Sequence, residues 1–159
     1  MRATSLILCL FPLPVLACPQ GEALLSCPIG KKQLEICLTD EGVTYSFGLQ
    51  GAPELTLTSP ILDAAYTPWP GVGSAIWDSL AFVNNEITYE VWTSVERNPE
   101  SSRDYQGGVN VLRGETLLAQ LSCKDGTVDG ELYAIYEAKE AAGQCWNLGN
   151  QMWQLSPCP

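Results

Sequence analysis

The chain has 159 residues, 46% of them hydrophobic, with seven cysteines, no histidine and a formal net charge of −10 at pH 7. The missing imidazole excludes Ser-His-Asp and Cys-His catalysis, histidine-ligated zinc and histidine acid–base work together. The acidity excludes nucleic acid and anionic lipid as direct partners and favours a cationic one.

Residues 1–17 read as a cleavable export signal. Arg2 precedes a short apolar run, Leu6 to Leu13, and Val15-Leu16-Ala17 ends it in the manner of a signal-peptidase site. Pro12 and Pro14 would break a buried helix, and the run is too short to span a bilayer, so no transmembrane segment is expected. Val15-Leu16-Ala17-Cys18 also fits a bacterial lipoprotein box, in which Cys18 would carry a lipid. Cysteine counting favours the soluble form. Once Cys9 leaves with the signal, Cys18, Cys27, Cys37, Cys123, Cys145 and Cys158 remain, an even set suited to disulfides in the periplasm or outside the cell. Lipidating Cys18 would strand one thiol. Losing Arg2 makes the exported chain one unit more acidic, and residues 18–159 are the length of a single domain.

Short alternating runs separated by turn residues follow. Leu34–Leu38, Val43–Leu49 and Leu55–Thr58 predict a three-stranded meander within 33–58. In its central strand Val43, Tyr45, Phe47 and Leu49 share one face. Residues 59–74, with Pro60, Pro68, Pro70, Gly71 and Gly73, predict a long loop. Ala75–Val83 is apolar at successive positions and predicts a strand buried on both faces. Asn84-Asn85 turns the chain into a strand over Glu86–Val95. Residues 96–107 are polar and expected to be exposed, and Val109–Leu112 and Thr116–Cys123 predict two more strands. Leu132, Ile135 and Tyr136 then fall at helical spacing, predicting a helix over 131–142 that ends at Gly143, with Asp129 as its N-cap. Trp146 and Trp153 in the tail are expected to plug one end of the fold, with Asn147, Asn150 and Gln151 in turns.

The fold expected is mainly β, an antiparallel sandwich or barrel of about seven or eight strands with one short C-terminal helix. The disulfide pairing expected is Cys145–Cys158 within the tail, Cys37–Cys123 between sheets and Cys18–Cys27 near the start, out of the many pairings six cysteines allow. Cys27, Lys32-Gln33-Leu34-Glu35-Ile36-Cys37 and Val43-Thr44-Tyr45-Ser46-Phe47-Gly48, running on to Pro53-Glu54-Leu55, resemble a group of small exported bacterial proteins of unassigned function. The resemblance spans 27–55, implies a bacterial β domain and transfers no site residues.

The sequence contains no Cys-x-x-Cys, Gly-x-Ser-x-Gly, Ser-x-x-Lys, Walker or Rossmann string, and no cofactor is implied. Asp125, Thr127, Asp129 and Gly130 mimic the start of a calcium loop. Tyr136 stands where the loop needs a bidentate carboxylate, so a turn is expected and no metal. Asp78, Glu86, Glu90, Glu131 and Glu137 could supply a carboxylate pair for hydrolysis, but their spacing selects none. Trp92 is the most informative side chain. Ile87, Tyr89, Val91 and Val95 share the apolar face of their strand, and Trp92 falls on the opposite one with Glu90, where it would form either a binding platform or a second small core. Trp69, between Pro68 and Pro70, raises the same alternatives. These features predict an acidic, non-catalytic binding module, such as an inhibitor of a cationic protein. A carbohydrate-binding domain built on Trp92 and Trp69, or a carboxylate-dependent hydrolase, are the alternatives.

Overall fold

A computed structural model describes residues 18, 21–98, 100 and 104–157. The expected export signal, 1–17, and Cys158 lie outside them. Two antiparallel meanders make up most of the molecule. In the first, β1 (Gly21–Ile29), β2 (Lys32–Thr39), β3 (Gly42–Leu49) and β4 (Ala52–Ser59) lie side by side. The second joins β5 (Ala65–Thr67), β6 (Ala75–Asn84), β7 (Ile87–Glu96), β8 (Gln106–Arg113) and β9 (Thr116–Ser122). The chain then returns to the first sheet as the two-residue β10 (Asp129–Gly130) beside β1, forms helix α1 (Ala134–Ala141), and ends in a hairpin of β11 (Gln144–Asn147) and β12 (Met152–Leu155).

The two five-stranded sheets stay open, edged by β10 and β4 in one and by β5 and β9 in the other, so no barrel closes. Twelve strand segments occur among the described residues, in place of the expected seven or eight. The additional ones are β1, β5, β10, β11 and β12. A bulge between Ala23 and Leu25 breaks the alternation of β1, and the others have four residues or fewer, too short to show a period.

Alternation places the core. Leu34 and Ile36 of β2, Val43 and Tyr45 of β3, Leu80 and Phe82 of β6, Val91 of β7 and Val109 of β8 are all buried in one cluster with Leu132 and Ile135. The Tyr45 ring lies 5.5 Å from that of Phe82 and 5.8 Å from that of Tyr89, joining the two sheets. The expected face of β3 holds as far as Phe47. There the register against β4 shifts, at Gly48, whose φ of 154° and contact with the Pro53 and Glu54 backbone leave no room for a Cβ. Leu49 is consequently exposed. β6 is not buried on both faces. Leu80 and Phe82 point inward, while Trp77 and Val83, on the other phase, are exposed.

Two expected disulfides are replaced. Cys18 pairs with Cys37, and Cys27 with Cys123. Parity explains the exchange. Cys37 lies between Ile36 and Leu38, so it points away from the core and cannot reach the second sheet; Cys27, facing Leu34 in register on the inner side, can. Cys18 and Cys27 would be roughly 30 Å apart along an extended strand, far beyond disulfide reach. Cys145 is also disulfide-bonded, and its expected partner Cys158 lies outside the described residues.

The helix begins at Ala134, later than expected, because Asp129 and Gly130 give their backbone to β1. Tyr133, not Asp129, is the N-cap, and it makes no side-chain cap bond. Buried Lys139 anchors the helix, its Nζ donating to the carbonyls of Ile61 (2.9 Å), Leu62 (3.3 Å) and Ala64 (2.8 Å). Burial pulls this ammonium down to about 8, against the opposing pull of Asp63. Trp146 faces Trp153 across the terminal hairpin, and the Trp153 indole donates to the Tyr66 carbonyl at 2.7 Å. No described helix is long and apolar enough to cross a membrane.

Candidate functional site

The phase that carries Leu80 and Phe82 into the core also carries Asp78 and Ile76 to the inner face of β6. On β7 the phase of Val91 carries Thr93 inward, directly opposite Asp78. The core borders the space beyond them through Tyr66. The space is a cavity of about 270 Å³ walled by Tyr66 of β5, Pro68 and Trp69 of the following loop, Tyr105, and Tyr133 and Tyr136 at the start of α1. Asp78 and Glu131 both line it. Tyr133 stacks parallel on Tyr136 at 5.6 Å, and Tyr136 meets Trp153 edge-on at 5.1 Å, so an aromatic row runs from the cavity into the core.

Both carboxylates are held by hydroxyls. Asp78 accepts from Thr93 Oγ1 at one oxygen and from the Tyr66 hydroxyl, at 3.0 Å, at the other; Glu131 accepts from the Tyr105 hydroxyl at 2.9 Å. Burial raises Asp78 above the ordinary carboxylate range, and the negative charge of Glu131 adds to this, while the two hydroxyl donors act in the opposite direction. Burial and the neighbouring Asp78 raise the Tyr66 phenol strongly, and burial and Glu131 raise that of Tyr105. Two carboxylates facing one aromatic cavity therefore form a negative site whose nearest hydroxyls stay protonated.

The residues singled out from sequence divide between two places. Trp69 enters the cavity, its indole donating to the Val72 carbonyl at 2.7 Å while the Arg97 guanidinium lies 5.0 Å over its ring. Asp78 and Glu131 are brought together; Glu86 and Glu137 are exposed elsewhere. Trp92 and Glu90 stay on the opposite face of the second sheet. Trp92 is half-buried there, opposite Ser79 and Gly108 in register, and its indole nitrogen is buried without a hydrogen-bond partner. Glu90 accepts from Asn110 at 3.0 Å. The Asp125–Asp129 segment is a turn leading into β10, with the Thr127 hydroxyl bonded back to the Lys124 carbonyl.

Tyr66, Thr93, Tyr105, Tyr133 and Tyr136 escape the sequence reading because four separate segments bring them together. One local signal does exist: Asp78 is a carboxylate in phase with Leu80 and Phe82. No family model, curated protein or solved structure matches the chain, so the site stands on its own geometry.

Proposed function

We propose that the domain is an exported, non-catalytic binding module, whose recognition site is the aromatic cavity around Asp78 and Glu131. The observation that carries this is the pairing of two hydroxyl-held carboxylates with an aromatic wall in a disulfide-tied fold. The partner favoured by the net charge of −10 is a cationic protein, and inhibition of such a protein is the use we propose. The disulfides suit an oxidising compartment, periplasmic or extracellular. A lipid anchor on Cys18 would need the same sulfur that bonds Cys37, which supports the unlipidated form.

Carbohydrate binding is the second reading, favoured by the stacked Tyr133 and Tyr136 rings. Hydrolysis by Asp78 and Glu131 is a third, favoured by the raised Asp78. The test is a titration of the mature domain with a strongly cationic lysozyme at physiological salt, following complex formation and loss of lytic activity. Binding by the wild type that is lost in Tyr133→Ala and kept in Trp92→Ala is the expected result. Binding indifferent to both substitutions would mean general charge attraction and would overturn the proposal.

A further inference from the structure

Resting on the cavity as the recognition site, we infer that the group it receives is an organic cation, an ammonium or guanidinium head, and not a neutral sugar or an anion. The ground is an inventory of donors and acceptors. A sugar hydroxyl both donates and accepts, so a sugar site must offer both kinds of partner; a cationic head only donates.

The donors lining this cavity are largely committed. The Tyr66 and Thr93 hydroxyls are spent on Asp78 and the Tyr105 hydroxyl on Glu131. The Trp69 indole is spent on Val72, and burial and the neighbouring Glu140 carboxylate raise the Tyr136 phenol. Among the lining side chains this leaves the Tyr133 hydroxyl, the Tyr136 hydroxyl beside Glu140, and the Trp77 indole. By strand parity Trp77 belongs to the opposite face of β6. The site thus offers acceptors and aromatic faces, which suits a desolvated cation. No lining side chain is basic. Arg97 is held outside by the Trp69 ring and the Gly73 carbonyl, which its guanidinium reaches at 2.9 Å. An anion would therefore meet two carboxylates and no counter-charge. The volume, about 270 Å³, suits one head group and not an extended chain.

Such a head could be a free quaternary ammonium or the tip of a lysine or arginine on a partner protein. Isothermal titration of the mature protein with choline, N-acetyl-arginine amide, N-acetyl-lysine amide and tri-N-acetylglucosamine separates these. The expected result is saturable binding of at least one cation, no binding of the sugar, and affinity about tenfold weaker in Glu131→Gln. Glu131 is exposed, so that variant keeps the fold. Asp78→Asn, checked for folding by circular dichroism, should weaken binding comparably. Preference for the arginine or lysine amide supports the protein source, and preference for choline the free one. Binding of the sugar alone overturns the cationic occupant and leaves the cavity as the recognition site. Binding of no probe overturns both.

Discussion

The pair β6 and β7 presents two aromatic regions that differ by one residue of phase. On the outer face Trp92 stands among Ser79, Glu90 and Asn110; on the inner face Asp78 and Thr93 sit where the core's own phase delivers them. From sequence the outer region draws attention as either a binding platform or a second small core, because an indole among polar groups breaks the pattern. In the structure the inner region holds the cavity, the carboxylate pair and the aromatic walls. The stronger departure from the pattern of the sheet is the carboxylate on the buried face. Burying it has a cost that the fold offsets with the Tyr66 and Thr93 hydroxyls.

Several changes should act on one region and spare the other. The largest effect is expected from the link between the sheets. Cys27 and Cys123 are 96 residues apart, and replacing both with serine should lower stability by about 4–5 kcal/mol in urea melts, against about 3 kcal/mol for Cys18 and Cys37, separated by 19. Equal losses would contradict the assignment of Cys27–Cys123 as the main tie.

Next is Lys139→Met, which strips a buried donor from the 61–64 segment and frees the helix bearing Tyr133 and Tyr136; a loss of about 3 kcal/mol at pH 7 is expected. Its pH dependence has a definite sign. The folded-state value of about 8 lies below the ordinary 10.5, so between these values the unfolded chain binds more protons, and stability rises with pH. Above pH 10 the buried Tyr45 and Tyr66 phenols, both raised, reverse the trend because the unfolded chain ionises first. Wild-type stability measured across pH 7–12 should therefore pass through a maximum near pH 10, and the rising limb should vanish in Lys139→Met.

Trp92→Ala should cost about 2 kcal/mol, short of the full penalty for emptying a core site, because the indole is only half-buried. It should leave cation binding unchanged. The smallest expected effect is on binding and pH. A cation favours ionised Asp78, so affinity should rise by about tenfold in all as the pH passes through the raised Asp78 value and level off above it. Tyr66, Thr93 and Glu131 face that carboxylate, and Glu131→Gln, by removing a negative neighbour, should move the inflection to lower pH.

Seven strands of the two meanders, β2 to β4 and β6 to β9, were legible as short apolar or alternating runs between turn residues, whereas β1 and β5 were not. The disulfide pairing was misread: the phase of Cys37 relative to Ile36 and Leu38 argues against its crossing between the sheets, but the phase of Cys27 depends on β1, whose bulge hides its alternation. The cavity was legible only in part. Asp78, Glu131 and Trp69 carry visible signals, but Tyr66 comes from a three-residue strand inside a proline-rich loop and Tyr105 from a polar one. Tyr133 and Tyr136 look like helix residues of ordinary spacing. Their convergence depends on α1 being fixed by Lys139 to carbonyls more than seventy residues away, and no local pattern records that.

The most direct measurement is a map of chemical-shift changes in the ¹⁵N-labelled domain, residues 18–159, on titration with N-acetyl-arginine amide. The largest changes should fall at Tyr66, Asp78, Glu131 and Tyr133 and at the Trp69 indole, with Glu90, Trp92 and Asn110 unmoved. Changes centred on Trp92 and Asn110, with the cavity silent, would contradict the account.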